Sequence, residues 1–314
     1  FQGGHSYAGG FTLSEGIFEY TASGSTSGGA LVSSPFGLGT ARFNGGTLRS
    51  TTDNERTIYN DVELNGTVTI TTDVEDRGGA FLVSTSAGGA TSILSNSTLN
   101  IARTVTWNQA ISGNDRGLTK TGGGTLVLNG ANTYTGNTGV MAGTLELNGS
   151  IAGDLTVASG ALWRGRPQIR NRGTVGGNAS IAGMHSPGNS PGIQTFEGNL
   201  FYQAGAEVIW ELSANLSLQG SPTAVFDQII VGGTLDFAGP TQLSLSFDGT
   251  GSSVNWNDAF WQFERSWTIY EAAAVSNVGN LSIEVANWLD ASGNAFDDIL
   301  SGWQFSLVQT GDRI

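Results

Sequence analysis

Short stretches in which apolar and polar residues alternate recur along the chain. The segments TLVLNG and TLELNG, at residues 125–130 and 144–149, each have two Leu residues separated by one position, and the residues beside them are Thr, Val, Glu or Asn. A period of two is typical of β-strands that bury one face. The triplet Gly-Thr-Leu/Val returns at positions 46, 66, 124, 143, 173 and 233. The triplets at 46 and 66 are 20 residues apart and those at 124 and 143 are 19 apart, which fits one coil of a parallel β-solenoid.

The pattern therefore predicts an all-β fold, a right-handed parallel β-helix (solenoid) that continues into an aromatic-rich C-terminal β region. One coil has too small an apolar face to be stable, but stacked coils bury a continuous apolar column. The Asn-Gly pairs suit the tight turns between strands. An antiparallel β-sandwich would show a similar alternation and remains the alternative.

The regular rhythm loosens after the segment HSPGNSPG at residues 185–192, and six of the eight Trp residues lie beyond it. We therefore predict two domains, a β-solenoid at 1–185 and a capping β region at 186–314. The stretch NWNDAFWQFERSW is interpreted as one short helix or an aromatic-rich loop. At the other end, HSYAGGFTLSEGIFEY (5–20) aligns without gaps with NTYTGNTGVMAGTLEL (132–147). The chain is thus expected to begin inside a repeat of a longer protein.

Composition narrows the function classes. The chain has 48 Gly among 314 residues and only 12% charged residues, which favours many short strands and turns over helices. The formal net charge of -13 argues against a nucleic-acid partner, because phosphate binding needs a basic surface. The absence of Cys excludes disulfides and thiolate metal sites. No apolar run approaches the roughly 18 residues of a membrane helix, so direct membrane insertion is not expected.

Three segments resemble a known family. Leu118–Ser150 resembles the autotransporter-associated β-strand repeat of bacterial surface passengers, and Ser180–Leu200 resembles the Ser-Pro-Gly-Asn-Ser-Pro-Gly signature that follows such repeats. Phe226–Gly239 fits the Asp-x-Leu/Ile-x-Val pattern downstream. The resemblance implies a secreted parallel β-helix displayed on a bacterial cell and used for adhesion, aggregation or building extracellular structure. The Trp-rich C-terminal segment resembles repeat proteins that end in a short sorting anchor rather than in a translocator barrel.

Candidate catalytic groups are few. His5 and His185 are the only histidines, and both are predicted to be turn or surface residues. No His-Glu-x-x-His, phosphate-binding or dinucleotide-binding motif occurs, and neither a cofactor nor a metal is expected.

Two acidic clusters keep a polysaccharide-cleaving enzyme open as an alternative, since paired carboxylates cleave glycosidic bonds. The clusters are Asp73, Glu75 and Asp76, and Asp297 with Asp298. We interpret both as solvated charge.

One basic segment stands out against the acidic composition. Four of the twelve Arg lie within nine residues, namely Arg164, Arg166, Arg170 and Arg172. This segment is the predicted interaction site, for an anionic polysaccharide or for the acidic flank of a second copy. A protruding loop whose Arg balance local acids is the alternative.

These observations predict a non-catalytic extracellular structural or adhesive β-solenoid at the bacterial cell surface. Self-association into fibres and binding of surface glycans are the partner hypotheses. The rival functions are the polysaccharide-cleaving β-helix and a folding nucleus, from about Ser186 onward, that assists export of the upstream coils.

Overall fold

The computed structural model of the chain describes residues 4–51, 54–72, 81–85, 88–165, 173–188, 191–216 and 225–314. The chain divides into two compact units, Phe1–Thr156 and Val157–Ile314. The division at residues 185 and 186 proposed from the sequence stays a prediction.

The structure is built almost entirely of short strands. In the first unit they are β1 (Phe11–Leu13), β2 (Ile17–Tyr20), β3 (Ser25–Ser27), β4 (Ala30–Ser33), β5 (Ala41–Phe43), β6 (Thr47–Ser50), β7 (Arg56–Ile58), β8 (Val62–Leu64), β9 (Thr67–Thr72), β10 (Phe81–Val83), β11 (Thr91–Ile93), β12 (Ser97–Ile101), β13 (Thr104–Trp107), β14 (Ile111–Ser112), β15 (Leu118–Thr121), β16 (Thr125–Leu128), β17 (Ala131–Asn132), β18 (Thr138–Val140), β19 (Thr144–Leu147) and β20 (Ser150–Ile151).

Strand β21 (Leu155–Val157) ends where the second unit begins. The second unit contains β22 (Leu162–Arg164), β23 (Thr174–Val175), β24 (Ala179–Ile181), β25 (Met184–Ser186), β26 (Ile193–Phe196), β27 (Leu200–Tyr202), β28 (Ala206–Glu211), β29 (Gln228–Phe237), β30 (Thr241–Ser246), β31 (Tyr270–Ser276) and β32 (Leu281–Ile283). Its helical turns are 3-10 helices at Ala259–Gln262 and Val278–Asn280 and the α-helix α1 at Phe296–Ile299.

Strands of the first unit pair in parallel with the equivalent strand of the next coil. One ladder runs β1-β5-β8-β11-β14, a second β2-β6-β9-β12-β15-β18, and a third β7-β10-β13-β16-β19. An antiparallel hairpin, β3–β4, lies outside these ladders. Each backbone group that faces along the ladder is satisfied by the neighbouring coil, which is why strands of three or four residues suffice. The prediction of a parallel β-helix is confirmed.

The length of a coil varies more than the Gly-Thr-Leu spacing predicts. Thr125 pairs with Thr144, so these two triplets stack directly with a coil of 19 residues. Thr47, however, pairs with Thr69 rather than with Thr67, and its coil is therefore two residues longer than the triplet spacing. The first coil is longer still, because Phe11 pairs with Ala41 and the hairpin β3–β4 is inserted between them. Insertions leave the ladders intact because they enter at turns.

The core of the first unit is a column of alternate residues from stacked strands. In β12, Ser97, Leu99 and Ile101 are buried and the residues between them are half-buried. Leu126 of β16 pairs with Leu145 of β19, and both are fully buried. A fully buried Leu contributes about 1.5–3 kcal/mol relative to an exposed one.

The turns of the first unit are tied by a ladder of asparagines. Asn129 Nδ2 donates to Asn108 Oδ1 over 2.5 Å, and Asn148 Nδ2 donates to Asn129 Oδ1 over 2.7 Å. Asn129 and Asn148 are the Asn residues of the two Leu-Asn-Gly segments. Stacked amides at one turn of successive coils explain why this residue type recurs there.

The second unit continues with parallel pairing. One ladder includes β25-β28-β30-β32, and the ten-residue strand β29 pairs with β26, β27 and β31. The segment NWNDAFWQFERSW is a loop that contains the 3-10 helix Ala259–Gln262. Phe247, Trp256, Trp261 and Phe305 form an aromatic cluster, with Phe247 and Trp256 4.8 Å apart. The expected aromatic-rich C-terminal β region is therefore confirmed.

Candidate functional site

The predicted arginine segment is only partly described. Arg164 is the last residue of β22 and is half-buried. Arg166, Arg170 and Arg172 lie outside the described residues. The interaction site assigned to these four arginines stays a prediction.

Only one of the two acidic clusters lies within the described residues. Asp73, Glu75 and Asp76 lie outside the described residues, whereas Asp297 and Asp298 lie in the first turn of α1 and are exposed. Among the described residues, no group of three or more His, Cys, Asp or Glu could hold a metal ion. No helix in the described ranges is long and apolar enough to span a membrane.

The prediction that His185 is a turn or surface residue is wrong. His185 is the central residue of β25 and is fully buried. Its ring stacks on Trp163 with a centroid distance of 4.5 Å. His185 and Ser186 of β25 are both buried, and the neighbouring Pro-Gly-rich segment gives no sign of that in the sequence.

Two neutral side chains satisfy the His185 ring. Its Nδ1 lies 2.6 Å from the hydroxyl of Tyr202, and its Nε2 contacts the side-chain oxygen of Gln194. An Nε2–H that donates to Gln194 and an Nδ1 that accepts from Tyr202 describe a neutral imidazole. Burial lowers the pKa of His185 from 6.5 to about 4. A buried, neutral ring without surface access is not available as a catalytic base.

A second buried polar group, Asp227, precedes β29. Its two carboxylate oxygens accept hydrogen bonds from the backbone N–H groups of Gly192 at 2.7 Å and of Glu211 at 3.0 Å. Burial raises the pKa of Asp227 well above its ordinary value, with a further contribution from Glu211. Asp227 therefore fastens the end of the Ser-Pro-Gly turn to strand β28, and its role is structural.

A well-formed concave surface lies in the second unit. It has a volume of about 500 Å³ and is lined mainly by aromatic and aliphatic side chains. We name it the aromatic cleft, after Trp210, Trp261, Phe263, Trp267, Trp303 and Phe305. Its volume falls in the range of about 300–1,000 Å³ that is typical of ligand pockets.

Two segments that belong to no strand form the walls of the aromatic cleft, residues 264–269 and 303–309. The first follows the 3-10 helix and returns the chain to β31, where Ile269 N–H donates to the carbonyl of Ile314 over 2.8 Å. The second follows the turn after α1. Leu243 and Leu245 of β30 and Ile283 of β32 contribute aliphatic side chains from the sheet. The ends of a rigid sheet thus support two extended segments.

Neighbouring rings fix the aromatic side chains of the cleft. Trp267 lies 5.9 Å from Trp210 and 6.5 Å from Phe305, and its indole N–H donates to the carbonyl of Leu216 over 2.9 Å. The indole N–H of Trp261 donates to Asn215 Oδ1 over 3.1 Å. Trp261 is buried, whereas Trp267 is half-buried and, because its donor is occupied, can meet a ligand only through carbon surface.

Part of this aromatic surface faces water. Trp303 is 46% exposed and Phe263 is 64% exposed, although both line the cleft. Aromatic side chains in water lose the free energy that burial would provide, so a cluster of them at one concave site indicates a contact surface. The sequence predicts only a capping role for the Trp-rich C-terminal part. The alternation of Trp303, Phe305 and Leu307 was the signal that a second apolar face remained.

The described lining of the aromatic cleft has equal numbers of acidic and basic side chains. Glu264, Arg265, Asp312 and Arg313 are the charged residues among the described lining. The Arg265 guanidinium lies over the Phe260 ring at 4.4 Å, and its Nε donates to the Phe260 carbonyl over 2.9 Å. Stacking of this kind holds a guanidinium in one orientation. The cleft therefore combines fixed rings with both donors and acceptors.

Comparison with known proteins points to secreted repeat proteins. The family described as Passenger-associated-transport-repeat matches residues 118–147. The Adhesin BmaC autotransporter of Brucella suis biovar 1 (strain 1330) is 29% identical over 218 residues, which cover 62% of this chain and 6% of that protein. Two proteins of Serratia marcescens, each named Extracellular serine protease, are 36% and 39% identical over 110 and 80 residues.

The matched regions are small parts of these relatives. The Serratia matches cover 35% and 26% of this chain but 10% and 6% of the relatives. The chain thus spans a tenth or less of the length of the proteins it matches. The parallel β-helix, the matched repeat and the autotransporter relative together confirm the resemblance to autotransporter-associated repeat proteins that the sequence indicated.

Proposed function

We propose that the chain is a non-catalytic, adhesive segment of an extracellular passenger, and that the aromatic cleft makes the adhesive contact. The passenger-type repeat and the autotransporter relatives support a location outside the cell or at its surface. The name of the Brucella relative supports adhesion, although that alignment covers 6% of the relative.

The observation that carries the proposal is the exposed aromatic surface of the cleft. Phe263 and Trp303 remain accessible in a concave site whose other rings are held by the core. Buried aromatic side chains dominate the binding energy of many interfaces. The β-helix supplies a rigid support, so little conformational entropy is lost when the cleft binds.

Adhesion can be tested with beads that carry the purified chain. We expect the wild-type beads to be retained under flow on a panel of bacterial and animal cell layers, and the double variant Phe263→Ser/Trp303→Ser to be retained several-fold less. Tyr7→Ser is the matched control, because Tyr7 is also 46% exposed but lies in the first unit. Equal retention of wild type and double variant would refute a contact through the cleft.

The serine protease relatives keep hydrolysis as a rival function. The burial of His185 disfavours a serine triad that uses this ring, because its two nitrogens already contact Tyr202 and Gln194. Incubation of the chain with casein and with a panel of polysaccharides tests the rival. Product formation above that of a heat-denatured sample would overturn the non-catalytic assignment.

The compact second unit favours the folding nucleus as a second candidate function. Residues Val157–Ile314 form a compact unit of their own, with an aromatic cluster around Phe247. If this unit assists folding, the variant Phe247→Leu should refold from urea more slowly than the wild-type chain. In this variant the first unit should also refold later than it does in the wild type. Independent refolding of the first unit would exclude this function.

A further inference from the structure

The nature of the ligand can be argued from the shape and chemistry of the aromatic cleft. The cleft has three features in one place: fixed ring surface, side chains with donors and acceptors, and balanced charge. Each feature excludes a class of ligand.

The ring surface requires an apolar face on the ligand. Trp267 is half-buried and has its indole N–H bound to the Leu216 carbonyl, so a ligand meets its ring through carbon. The face of an aromatic ring carries partial negative charge and attracts polarised C–H groups. A ligand with one flat face of C–H bonds would match this surface.

The polar groups require hydroxyls or amides on the same ligand. Gln304 and the guanidinium of Arg265 offer donors, while the carboxylates of Glu264 and Asp312 offer acceptors, and all four line the cleft. A purely apolar ligand would desolvate these groups without replacing their hydrogen bonds with water, which costs about 1–3 kcal/mol for each neutral polar group. The ligand therefore carries both donors and acceptors.

The charge balance excludes a strong preference for anions. Two acidic and two basic side chains are found among the described cleft residues, and Arg313 is already paired with Glu271 over 3.3 Å. The whole chain has a net charge of -13, which repels anionic ligands at a distance. A neutral ligand meets no such repulsion.

An extended peptide is the main competitor for this site. It would add a strand to β32, the terminal strand of its ladder, whose Ile283 lines the cleft. Strand β32 has only three residues, so it offers few backbone groups for strand addition. The cleft instead has several aromatic rings in its lining, which favours a ligand bound by stacking.

We propose that the aromatic cleft binds a neutral oligosaccharide, whose C–H face stacks on the exposed ring of Trp303 and its neighbours and whose hydroxyls reach Glu264, Arg265 and Gln304. The proposal rests on the adhesive function proposed above and names the class of ligand for the same site. A sugar ring combines a flat C–H face with hydroxyls that both donate and accept, so it satisfies all three features.

The test is isothermal titration of the full chain with four neutral oligosaccharides, namely cellohexaose, maltohexaose, mannohexaose and chitohexaose, and with hexagalacturonate as the anionic control. We expect at least one neutral hexasaccharide to bind more tightly than hexagalacturonate, with an affinity that changes less than twofold between low and high salt. The variant Trp303→Ala should weaken this binding roughly tenfold and Trp303→Phe should restore most of it, because ring stacking is lost in the first and kept in the second.

Trp303 suits this test because its removal costs little core packing, as the side chain is 46% exposed. Tyr7→Ala serves as the control of equal exposure and should leave the affinity unchanged. An unaltered thermal midpoint verifies that each variant is folded.

Three outcomes would overturn the saccharide proposal: no binding of any neutral hexasaccharide, equal affinity of wild type and Trp303→Ala, or tighter binding of hexagalacturonate. If wild-type beads adhere better than beads with the variant Phe263→Ser/Trp303→Ser while no saccharide binds, the saccharide proposal is refuted and the adhesive function stands. Capture of an extended peptide that Trp303→Ala abolishes would assign the cleft to a polypeptide instead. If the wild-type beads do not adhere and the wild-type chain binds no neutral hexasaccharide, both proposals are refuted together.

Discussion

The buried imidazole of His185 makes the stability of the second unit sensitive to acid. The ring lies between Trp163 and Tyr202, and its hydrogen-bond partners Tyr202 and Gln194 are both uncharged. A protonated ring at this position would place a charge in the core without a counter-charge among these partners. Replacing His185 by Gln removes the titrating group while keeping a neutral polar side chain.

The magnitude follows from the lowered pKa. The pKa of His185 falls from 6.5 to about 4 on burial, so the unfolded chain binds a proton between these two pH values and the folded chain does not. The stabilising contribution is therefore complete above pH 6.5 and is lost as the pH falls toward 4. A difference of about 2.5 pKa units corresponds to roughly 3 kcal/mol, since one unit is about 1.4 kcal/mol.

Urea unfolding at pH 7.5, 5.5 and 4, followed by tryptophan fluorescence, measures this effect. At pH 7.5 the variant His185→Gln should be less stable than the wild type, because the packing on Trp163 is lost. This deficit should shrink by about 3 kcal/mol at pH 4. The variant His5→Gln, at a half-buried histidine of the first unit, should leave the pH dependence of the second unit unchanged.

If the difference in free energy of unfolding between the wild type and His185→Gln stays constant from pH 7.5 to pH 4, the reasoning is refuted. Asp227 and Glu211 also titrate with raised pKa values, and their contributions have the opposite sign. They are present in both proteins and cancel in the difference.

Three further predictions concern the first unit. Gly143 has a φ of 65°, and an added Cβ would lie 2.5 Å from the carbonyl oxygens of Gly122 and Gly124. The variant Gly143→Ala should therefore lower the free energy of unfolding in urea by about 2 kcal/mol or more. The control variant Gly123→Ala has open space at its Cβ and should lower it by less than about 0.5 kcal/mol. The ammonium group of the buried Lys120 donates hydrogen bonds to the carbonyl oxygens of Thr121, Gly122 and Ala142. The variant Lys120→Met removes this donor from all three acceptors and should lower the free energy of unfolding by roughly 2 kcal/mol. An unchanged urea midpoint would contradict this prediction. The variant Leu126→Ala, at a fully buried position, should lower the free energy of unfolding by about 2–5 kcal/mol. The control variant Val285→Ala, at a fully exposed position, should lower it by less than about 0.5 kcal/mol. Equal urea midpoints for the two variants would argue against the stacked core.

The sequence predicted the parallel β-helix because its information is local and repeated. Many strands alternate apolar and polar residues, and Gly or Asn recurs at the turns between them, so one coil's pattern already indicates how the next will stack. The sequence predicts that the asparagines of the two Leu-Asn-Gly segments are turn residues, and the structure adds that Asn148 donates a hydrogen bond to Asn129 of the preceding coil. The aligned segments at 5–20 and 132–147 nevertheless place their last strands in different sheets, β2 in one and β19 in another.

The candidate site could not be derived in the same way. His185 looked like a turn residue because a Pro-Gly-rich segment follows it, and only its position in β25 showed that it is buried. The aromatic cleft joins residues near 263 with residues near 303, and no sequence periodicity relates these two segments. The tryptophans were visible in the sequence, but not which of their faces the core would leave exposed.

The sequence by itself determined that this protein is a stack of short parallel strands with a repeat that resembles those of autotransporter passengers, since repeated local patterns suffice for that. The tertiary structure alone decided which residues meet in the aromatic cleft, which coils carry insertions and which polar groups are buried. The physical reason is that burial and concavity depend on contacts between residues far apart in the chain, and those contacts form only when the complete ladder is assembled.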